Sequence, residues 1–462
     1  MATISELIAA TDAHVLQQPG GVDPAAVPVG RIRVAGRQVA PGDVYWALPR
    51  AGCDGTQQSA EAFARGAIGA VVPRPVEAPS DRWILQTPDA HEALHRWAQW
   101  RRRHFSGTLI VITGELGSTT ARQMMNMVLG GRLRGASESA GHDPHVGVLL
   151  GVSAIEPEHE YALLELAATS CGEFAPLMSL AMPKVAVITS LAYSPVAYFG
   201  NRQRTTLAYG KLLAALPPDG RAVLADDPWL CPLASSCPAP ITWVGTSDGC
   251  DLLAENVLTT EGRLQFTLGG VTFHIPAWGR HHLTAALCAI AIGRMMGMDF
   301  SAMAAALEKY RPVPDRCKVV ELRGATFIHD PRDADLAGMH EVAEILHQVD
   351  AAGRRIIVCG DLGEPDARCP TRYWQLGRAA VETAGVNLLI ACGQYSRYVV
   401  AGARAAGVPH AKAIACRNAA DSLPYLGQAT QPGDVVLIKG SGLLEIKRLA
   451  EALGAYPLRR TA

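Results

Sequence analysis

The chain has 462 residues, with 42 basic and 43 acidic side chains and a hydrophobic share of 49%. This length exceeds what one ordinary core supports, so we expect several domains. The charges nearly cancel, which excludes a global field that would draw the chain to nucleic acid or to an anionic membrane surface. The 11 cysteines stand singly without a CxxC pair, which disfavours structural zinc and favours reduced thiols in the core.

No targeting or membrane segment is predicted. The start of the sequence, Met1–Glu6, lacks a basic segment followed by an apolar one and so does not resemble a signal peptide. The longest apolar stretch, Thr284–Ile292, ends before Arg294 and is too short to span a bilayer. We therefore expect a cytoplasmic protein with no membrane partner and no nucleic-acid partner.

Strand-like and helix-like segments alternate along the chain. In residues 1–107 we predict strands at Arg31–Val34, Asp43–Leu48 and Ala67–Val72, and helices at Ser59–Arg65 and Ala90–Phe105. In residues 108–313 we predict strands at Leu109–Thr113, Val146–Leu150, Tyr161–Leu166 and Val185–Thr189, helices at Thr119–Leu129, Phe174–Ala181 and Thr205–Leu216, and a β-meander at Gly249–Ile275 before a helix at His282–Met296. In residues 314–462 we predict strands at Arg355–Cys359, Asn387–Cys392 and Asp434–Ile438, and helices at 372–384, 396–406 and 444–453. This alternation is typical of parallel, doubly wound sheets and predicts three packed α/β domains with these boundaries.

The chain is organised around a glycine turn between a strand and a helix. Gly114 and Gly117 follow the apolar strand, and the helix begins directly after them. Backbone N–H groups and the positive helix end can together hold an anion, usually a nucleotide phosphate. Strand–glycine–helix turns also form for packing reasons alone, so both interpretations stand at this point. Where a P-loop carries its lysine, this chain has Ser118.

From Ile32 to its end the chain resembles the Mur ligase family. The glycine turn, Ile112–Thr120, is similar to the family's ITGTNGKTT segment. Further segments follow the family order, at Pro41–Leu48, Cys53–Gly55, Leu163–Leu166, Gly172–Phe174, Phe199–Gly200, Leu224–Pro228, Arg316, His329–Asp330, Gly360–Glu364 and Lys439–Ser441. The resemblance implies a small N-terminal α/β domain for a UDP-linked substrate, a central P-loop-type doubly wound parallel sheet, and a C-terminal Rossmann-like α/β domain for the amine.

The resemblance also implies an ADP-forming amide ligase with ATP and Mg²⁺ as cofactors. In such a ligase ATP phosphorylates the carboxylate of a UDP-linked muramoyl peptide, and an amine then attacks the acyl phosphate. This chemistry depends on positioning and on charge neutralisation around the transferred phosphoryl group. The family pattern assigns nucleotide contacts to Gly114, Gly117, Ser118, Thr119, Thr120, Arg316 and Asp330, metal ligation to Thr119 and Glu165, catalytic roles to Glu165, Lys211, His281 and Lys439, and substrate contacts to Arg37 and Asp54.

Several of these residues have equally simple structural interpretations. Glu165 is either a magnesium carboxylate or a salt-bridged glutamate at a sheet rim. Arg37 is either a uridine contact or an exposed arginine at a strand end, and we favour the latter. Lys439 binds a substrate carboxylate or forms a surface salt bridge. His281 and His282 could bind a metal together, but we favour their capping a helix because adjacent helical residues diverge by about 100°.

The departures from the family pattern cluster at positions that contact phosphate, magnesium and adenine. The phosphate lysine is Ser118, a metal-binding histidine is Pro195, the carbamoylated lysine is Tyr209, and two adenine-side asparagines are His282 and Ala285. Lys211 lies two residues beyond Tyr209 and should face another side of the helix. We therefore predict impaired or lost ligation, with a binding or regulatory role through a nucleotide-sugar or a protein partner in cell-wall synthesis. The alternative is a divergent active ligase that adds an amino acid or dipeptide.

Overall fold

The structure is a computed structural model. It describes residues 1–49, 55–114, 117–138, 144–166, 174–191, 202–260, 262–277, 279–280, 282–311, 318–330, 346, 351–361 and 369–440. Within these ranges, no helix is long and apolar enough to cross a membrane.

The N-terminal part forms a five-stranded sheet. Its strands β1 to β5 are His14–Gln17, Ile32–Arg33, Val44–Trp46, Gly69–Val72 and Trp83–Gln86, and its helices α1 to α3 are Ile4–Thr11, Ser59–Ala64 and Ala90–Arg103. The strand order is β1-β5-β4-β3-β2, and β1 alone pairs antiparallel. Helix α1 begins with a capping box in which Thr3 and Glu6 each satisfy the other's backbone N–H.

The central part forms a seven-stranded sheet in which every pairing is parallel, in the order β12-β11-β10-β9-β6-β8-β7. Strands β6 to β12 are Thr108–Thr113, Gly135–Glu138, Tyr161–Glu165, Val185–Ile188, Arg221–Ala225, Ile241–Gly245 and Leu252–Leu253. An antiparallel meander follows, with β13 to β15 at Glu255–Thr260, Arg263–Leu268 and Val271–Ile275. Helices α4 to α9 are Ser118–Gly130, Pro144–Ser153, Phe174–Ala181, Arg202–Ala214, His282–Met295 and Phe300–Leu307.

Both faces of the central sheet are covered, as the sequence pattern predicts. Successive residues of a strand point to opposite faces, and β6 shows this directly. Leu109 and Val111 belong to one hydrophobic core, which also receives Trp97 of α3. Ile110 and Ile112 belong to a second core on the other face. Because both faces of β6 are packed in hydrophobic cores, the position of the glycine turn that follows the strand is fixed.

The C-terminal part forms a six-stranded sheet in the order β16-β17-β21-β18-β19-β20. Strands β16 to β21 are Lys318–Leu322, Ala325–Asp330, Arg355–Cys359, Leu388–Cys392, Ala413–Cys416 and Val435–Lys439. The pair β16–β17 is antiparallel and the other pairs are parallel. Helices α10 to α12 are Cys369–Ala384, Ser396–Ala405 and Ala419–Ala429. Helices α10 and α11 approach closely at Gly377, where an added Cβ would lie 1.9 Å from the Val399 carbonyl oxygen.

The predicted α/β architecture is confirmed, and one predicted element is wrong. Val146–Leu150 was expected as a strand, but it lies inside helix α5. The buried residues Val148, Leu149 and Val152 form a helical stripe toward the core shared with α3. The predicted helix at 444–453 lies outside the described residues.

Candidate functional site

Two glycines with positive φ flank the loop between β6 and α4. Gly114 has φ +144°, and a Cβ there would lie 2.2 Å from Thr189 Oγ1, just after the neighbouring strand β9, so only glycine fits. Gly117 has φ +78° and precedes α4, whose first turn has no side-chain cap. The first-turn N–H groups of a helix have no partner within the helix and form a ready anion site. Residues 115 and 116 of the loop lie outside the described part of the chain.

The side chains at the start of α4 converge on Glu165, the last residue of β8. Ser118 Oγ donates a hydrogen bond of 2.8 Å to Glu165 Oε1, and Thr119 Oγ1 donates one of 2.6 Å to the same oxygen. Strand β8 lies beside β6, with Glu165 in register with Ile112, so the carboxylate reaches the base of the loop. The structure thus brings together three of the residues that the sequence assigned to nucleotide and metal.

A residue that the sequence did not single out completes this cluster. Arg122 Nε lies 3.4 Å from Glu165 Oε2, and Arg122 Nη1 donates a 2.7 Å hydrogen bond to Ser137 Oγ on β7. The Arg122 and Glu165 side chains are 8% and 10% exposed. The sequence carried a signal for this contact, because Arg122 lies four residues after Ser118 and so on the same helix face. Glu165 is therefore salt-bridged in this structure, at the C-terminal end of β8.

The present arrangement around Glu165 does not fit a magnesium ion. Mg²⁺ requires oxygen ligands in octahedral geometry and binds through carboxylate, hydroxyl and phosphate oxygens. Here both hydroxyls donate into one carboxylate oxygen, and the other oxygen faces a fixed guanidinium. An ion on this carboxylate would have to displace a donor and lie beside a positive charge. Among the described residues, no group of three or more histidine, cysteine, aspartate or glutamate side chains is arranged to hold a metal.

The position that the family pattern gives to a modified lysine is part of the hydrophobic core. Tyr209 on α7 is buried, and its ring centroid lies 5.1 Å from that of Phe174. Lys211 is exposed, in agreement with its expected placement on another side of the helix. Lys211 therefore does not place its charge beside Tyr209 in the core.

His282 and Ala285 on α8 are also buried. The His282 ring lies edge-on to Tyr310, with the centroids 5.9 Å apart. Its neighbour His281 lies outside the described residues, so the expected capping role and the metal-pair alternative both stay predictions.

In the C-terminal sheet, two of the predicted site residues contact each other. Strands β17 and β21 run parallel with Asp330 and Lys439 in register, and Lys439 Nζ donates to Asp330 Oδ2 at 2.5 Å. The two side chains are 1% and 7% exposed. The salt bridge considered for Lys439 therefore forms, but it is buried and not at the surface. Strand β21 lies between β17 and β18, and the charge of its last residue is paired with Asp330.

At the neighbouring strand end, a carboxylate accepts hydrogen bonds from backbone N–H groups. Asp361, directly after β18, accepts hydrogen bonds from the N–H groups of Gln394 and Tyr395 at 3.0 and 3.3 Å. The thiols at this edge are not activated, because burial raises the pKa of Cys359 and raises that of Cys392 to about 12.

The predicted substrate contacts of the N-terminal part are only partly described. Arg37 is exposed in a short 3₁₀-helical turn, Gly36–Gln38, just after β2. The turn is held by a 3.0 Å hydrogen bond from the Gly36 N–H to Gln58 Oε1. Asp54, Arg316 and Pro195 lie outside the described residues, so their assignments stay predictions.

The parallel central sheet, its glycine turn and the two flanking α/β units match the fold of the Mur ligases, the class of protein that this chain resembles. Residues 112–293 match the family model of the Mur ligase middle domain. More particularly, the chain is homologous over nearly its whole length to the ligases that bear the name UDP-N-acetylmuramoyl-tripeptide–D-alanyl-D-alanine ligase, or MurF. It is 27% identical to that of Escherichia coli K12, over 94% of this chain and 96% of the relative. It is 25% identical to that of Bacillus subtilis 168, over 88% of this chain and 89% of the relative.

Solved structures show the same fold. A crystal structure of MurF from Acinetobacter baumannii superposes with a TM-score of 0.82 at 24% identity, covering 98% of both chains. MurF from Thermotoga maritima, solved in complex with ADP, has a TM-score of 0.74 at 21% identity, covering 92% of this chain and 96% of that one. These structures confirm the predicted α/β fold, and the family model and the sequence relatives confirm the resemblance to the Mur ligases.

Proposed function

We propose that this chain is a MurF-like protein that binds a UDP-linked muramoyl peptide, or another nucleotide-sugar, and in which ATP-driven amide ligation is impaired or lost. Its role would then be to bind that ligand, or a protein partner in cell-wall synthesis, rather than to turn it over. The observation that carries this proposal is the state of Glu165, which is bonded to Ser118, Thr119 and Arg122.

The charge at the head of α4 supports this interpretation. Phosphoryl transfer depends on cations placed where negative charge develops, and Ser118 supplies only a neutral hydroxyl that is already donating to Glu165. Losing one preorganised donor of this kind typically costs about 10²–10³ in kcat. With Tyr209 in the core in place of a modified lysine, a second charged contact is lost as well.

A divergent active ligase is the second candidate. The short contact between Thr119 Oγ1 and Glu165 Oε1, 2.6 Å, favours it, because two ligands of one metal ion also lie close together. The loop glycines, which let the backbone approach a phosphate, are retained. In this candidate ATP and Mg²⁺ bind in an altered arrangement and an amino acid or dipeptide is added.

A ligation assay separates the two candidates. The full chain is incubated with Mg-ATP, UDP-N-acetylmuramoyl-tripeptide and D-alanyl-D-alanine, and ADP and the ligated product are followed by mass spectrometry. The Escherichia coli relative is the positive control. We expect no product above background, together with saturable binding of the UDP-linked peptide in a separate titration. Turnover within about 100-fold of the control would overturn the proposal, since that is less than the loss expected from two missing charged contacts.

A further inference from the structure

We infer that the Arg122 guanidinium is a built-in counter-ion of Glu165, paired with the carboxylate where a divalent metal ion would otherwise bind. The Glu165 carboxylate therefore binds a metal ion only when the charge of Arg122 is removed. The inference rests on the proposed function and identifies the residue responsible for that state. Arg122 is a positioning residue here, because it acts through Glu165.

The first step in the argument is the geometry of α4. Ser118, Thr119 and Arg122 lie at helix positions i, i+1 and i+4, and all three reach Glu165. Long helical side chains point back toward the helix N-terminus, which directs the Arg122 guanidinium to the loop rather than to the body of the helix. Both oxygens of the carboxylate are thereby engaged from the first turns of α4.

The second step is that the guanidinium is fixed in place. It is tied on one side to Glu165 on β8 and on the other to Ser137 on β7, two neighbouring strands of the sheet. Both charged side chains are about nine-tenths buried. A planar guanidinium anchored at two points loses little further entropy on pairing, and its charge is poorly screened in such a place.

The third step concerns what a metal ion would meet. A cation within about 4–6 Å of a carboxylate typically weakens proton binding to it by one to three powers of ten, and we expect the same sign for a metal ion. Arg122 Nε is 3.4 Å from Glu165 Oε2, so a metal ion on that oxygen falls inside this range. At Oε1 the ion would have to displace two hydroxyl donors. Restoring a lysine at Ser118 would add another cation and would not open this carboxylate.

The test measures Mn²⁺ binding to the full chain without nucleotide, by electron paramagnetic resonance of the unbound ion. The variants are Arg122→Gln, which removes the charge but keeps an amide donor, and Arg122→Lys, the matched control that keeps the charge. We expect Mn²⁺ affinity at least about tenfold higher in Arg122→Gln than in the wild type, and unchanged in Arg122→Lys. The gain should vanish in Arg122→Gln/Glu165→Gln. An Arg122→Gln protein that is folded by circular dichroism and binds Mn²⁺ no more tightly than the wild type would overturn the inference.

A second measurement keeps the inference testable if Arg122→Gln does not fold. In the wild-type background, Glu165→Gln should leave Mn²⁺ affinity unchanged, because the carboxylate is not a ligand there. A loss of at least about tenfold in affinity would mean that the wild-type carboxylate already binds metal, against the inference. If the wild type ligates its substrates while Glu165→Gln leaves Mn²⁺ affinity unchanged, the proposed function is refuted and this inference stands. If the wild type binds Mn²⁺ through Glu165 but does not ligate, this inference is refuted and the proposed function stands.

Discussion

The glycine turn before α4 offers a matched pair of substitutions, Gly114→Ala and Gly117→Ala. Both glycines have positive φ, +144° and +78°. An added Cβ at Gly114 would lie 2.2 Å from Thr189 Oγ1 and 3.0 Å from the N–H nitrogens of Thr189 and Ser190. At Gly117 nothing lies within 4 Å of the added Cβ. The two substitutions therefore share the backbone strain, but only one creates a clash.

The expected losses follow from these distances. Gly114→Ala combines a backbone conformation that costs about 1–3 kcal/mol with overpacking that costs about 1–3 kcal/mol. Thr189 is buried and β-branched, so it cannot move aside. Gly117→Ala should cost only the left-handed strain of about 1–2 kcal/mol. At about 2–4 °C per kcal/mol for a domain of this size, the overpacking difference of about 1–3 kcal/mol separates the two melting transitions by about 2–12 °C.

The assay is thermal unfolding of both variants by calorimetry, with urea unfolding as a second probe. Adding Thr189→Ala to Gly114→Ala removes the closest contact and should recover part of the loss, while the backbone contacts at 3.0 Å keep the rest. Equal losses for Gly114→Ala and Gly117→Ala, or no recovery in the double variant, would refute the assignment of the cost to Thr189.

Three further predictions concern other parts of the chain. Lys439→Met should destabilise the C-terminal sheet by about 3–5 kcal/mol because it removes the cation of a buried ion pair. A loss below about 1 kcal/mol in urea unfolding would contradict the buried pair. Arg102→Ala should lower the free energy of unfolding by about 1.5–3 kcal/mol, because the Arg102 guanidinium donates to two carbonyls at the C-terminal end of α6. The matched control Arg103→Ala, at the exposed neighbour, should change it by less than about 0.5 kcal/mol. Burial raises the pKa of Cys288 to about 12, so its thiol stays protonated at pH 8. We expect Cys288 to resist iodoacetamide in the folded protein, while the exposed Cys231 is labelled. Peptide mapping that finds both cysteines labelled alike would contradict this prediction.

Much of the fold could be predicted because its signals are local. The strand Thr108–Thr113 is a run of β-branched and aliphatic residues closed by glycine, and the structure places it where expected. The segment Val146–Leu150 failed for a physical reason: a short apolar run has no period that separates a buried strand from a buried helix. Helix α5 forms because its stripe packs against neighbouring helices, a contact that the sequence of this segment does not contain.

The site could be predicted in its residues but not in its contacts. Thr119 and Glu165 were identified from the family pattern, and they do lie together. The ion pair between Glu165 and Arg122 depends on the distance between α4 and β8. The pairing of β6 with β8 sets that distance. Likewise, Lys439 reads as an exposed cation after a strand, and only the order of strands in the sheet reveals its buried partner Asp330.

The central claim is tested most directly by calorimetric titration of the full chain with Mg-ATP. Because Ser118 supplies no charge and Glu165 is bonded to Arg122, we predict no saturable heat up to millimolar Mg-ATP. Thr119→Ala, which removes a retained hydroxyl of the loop, should give the same trace as the wild type. Micromolar binding by the wild type that weakens in Thr119→Ala would contradict the account and establish the loop as a working nucleotide site.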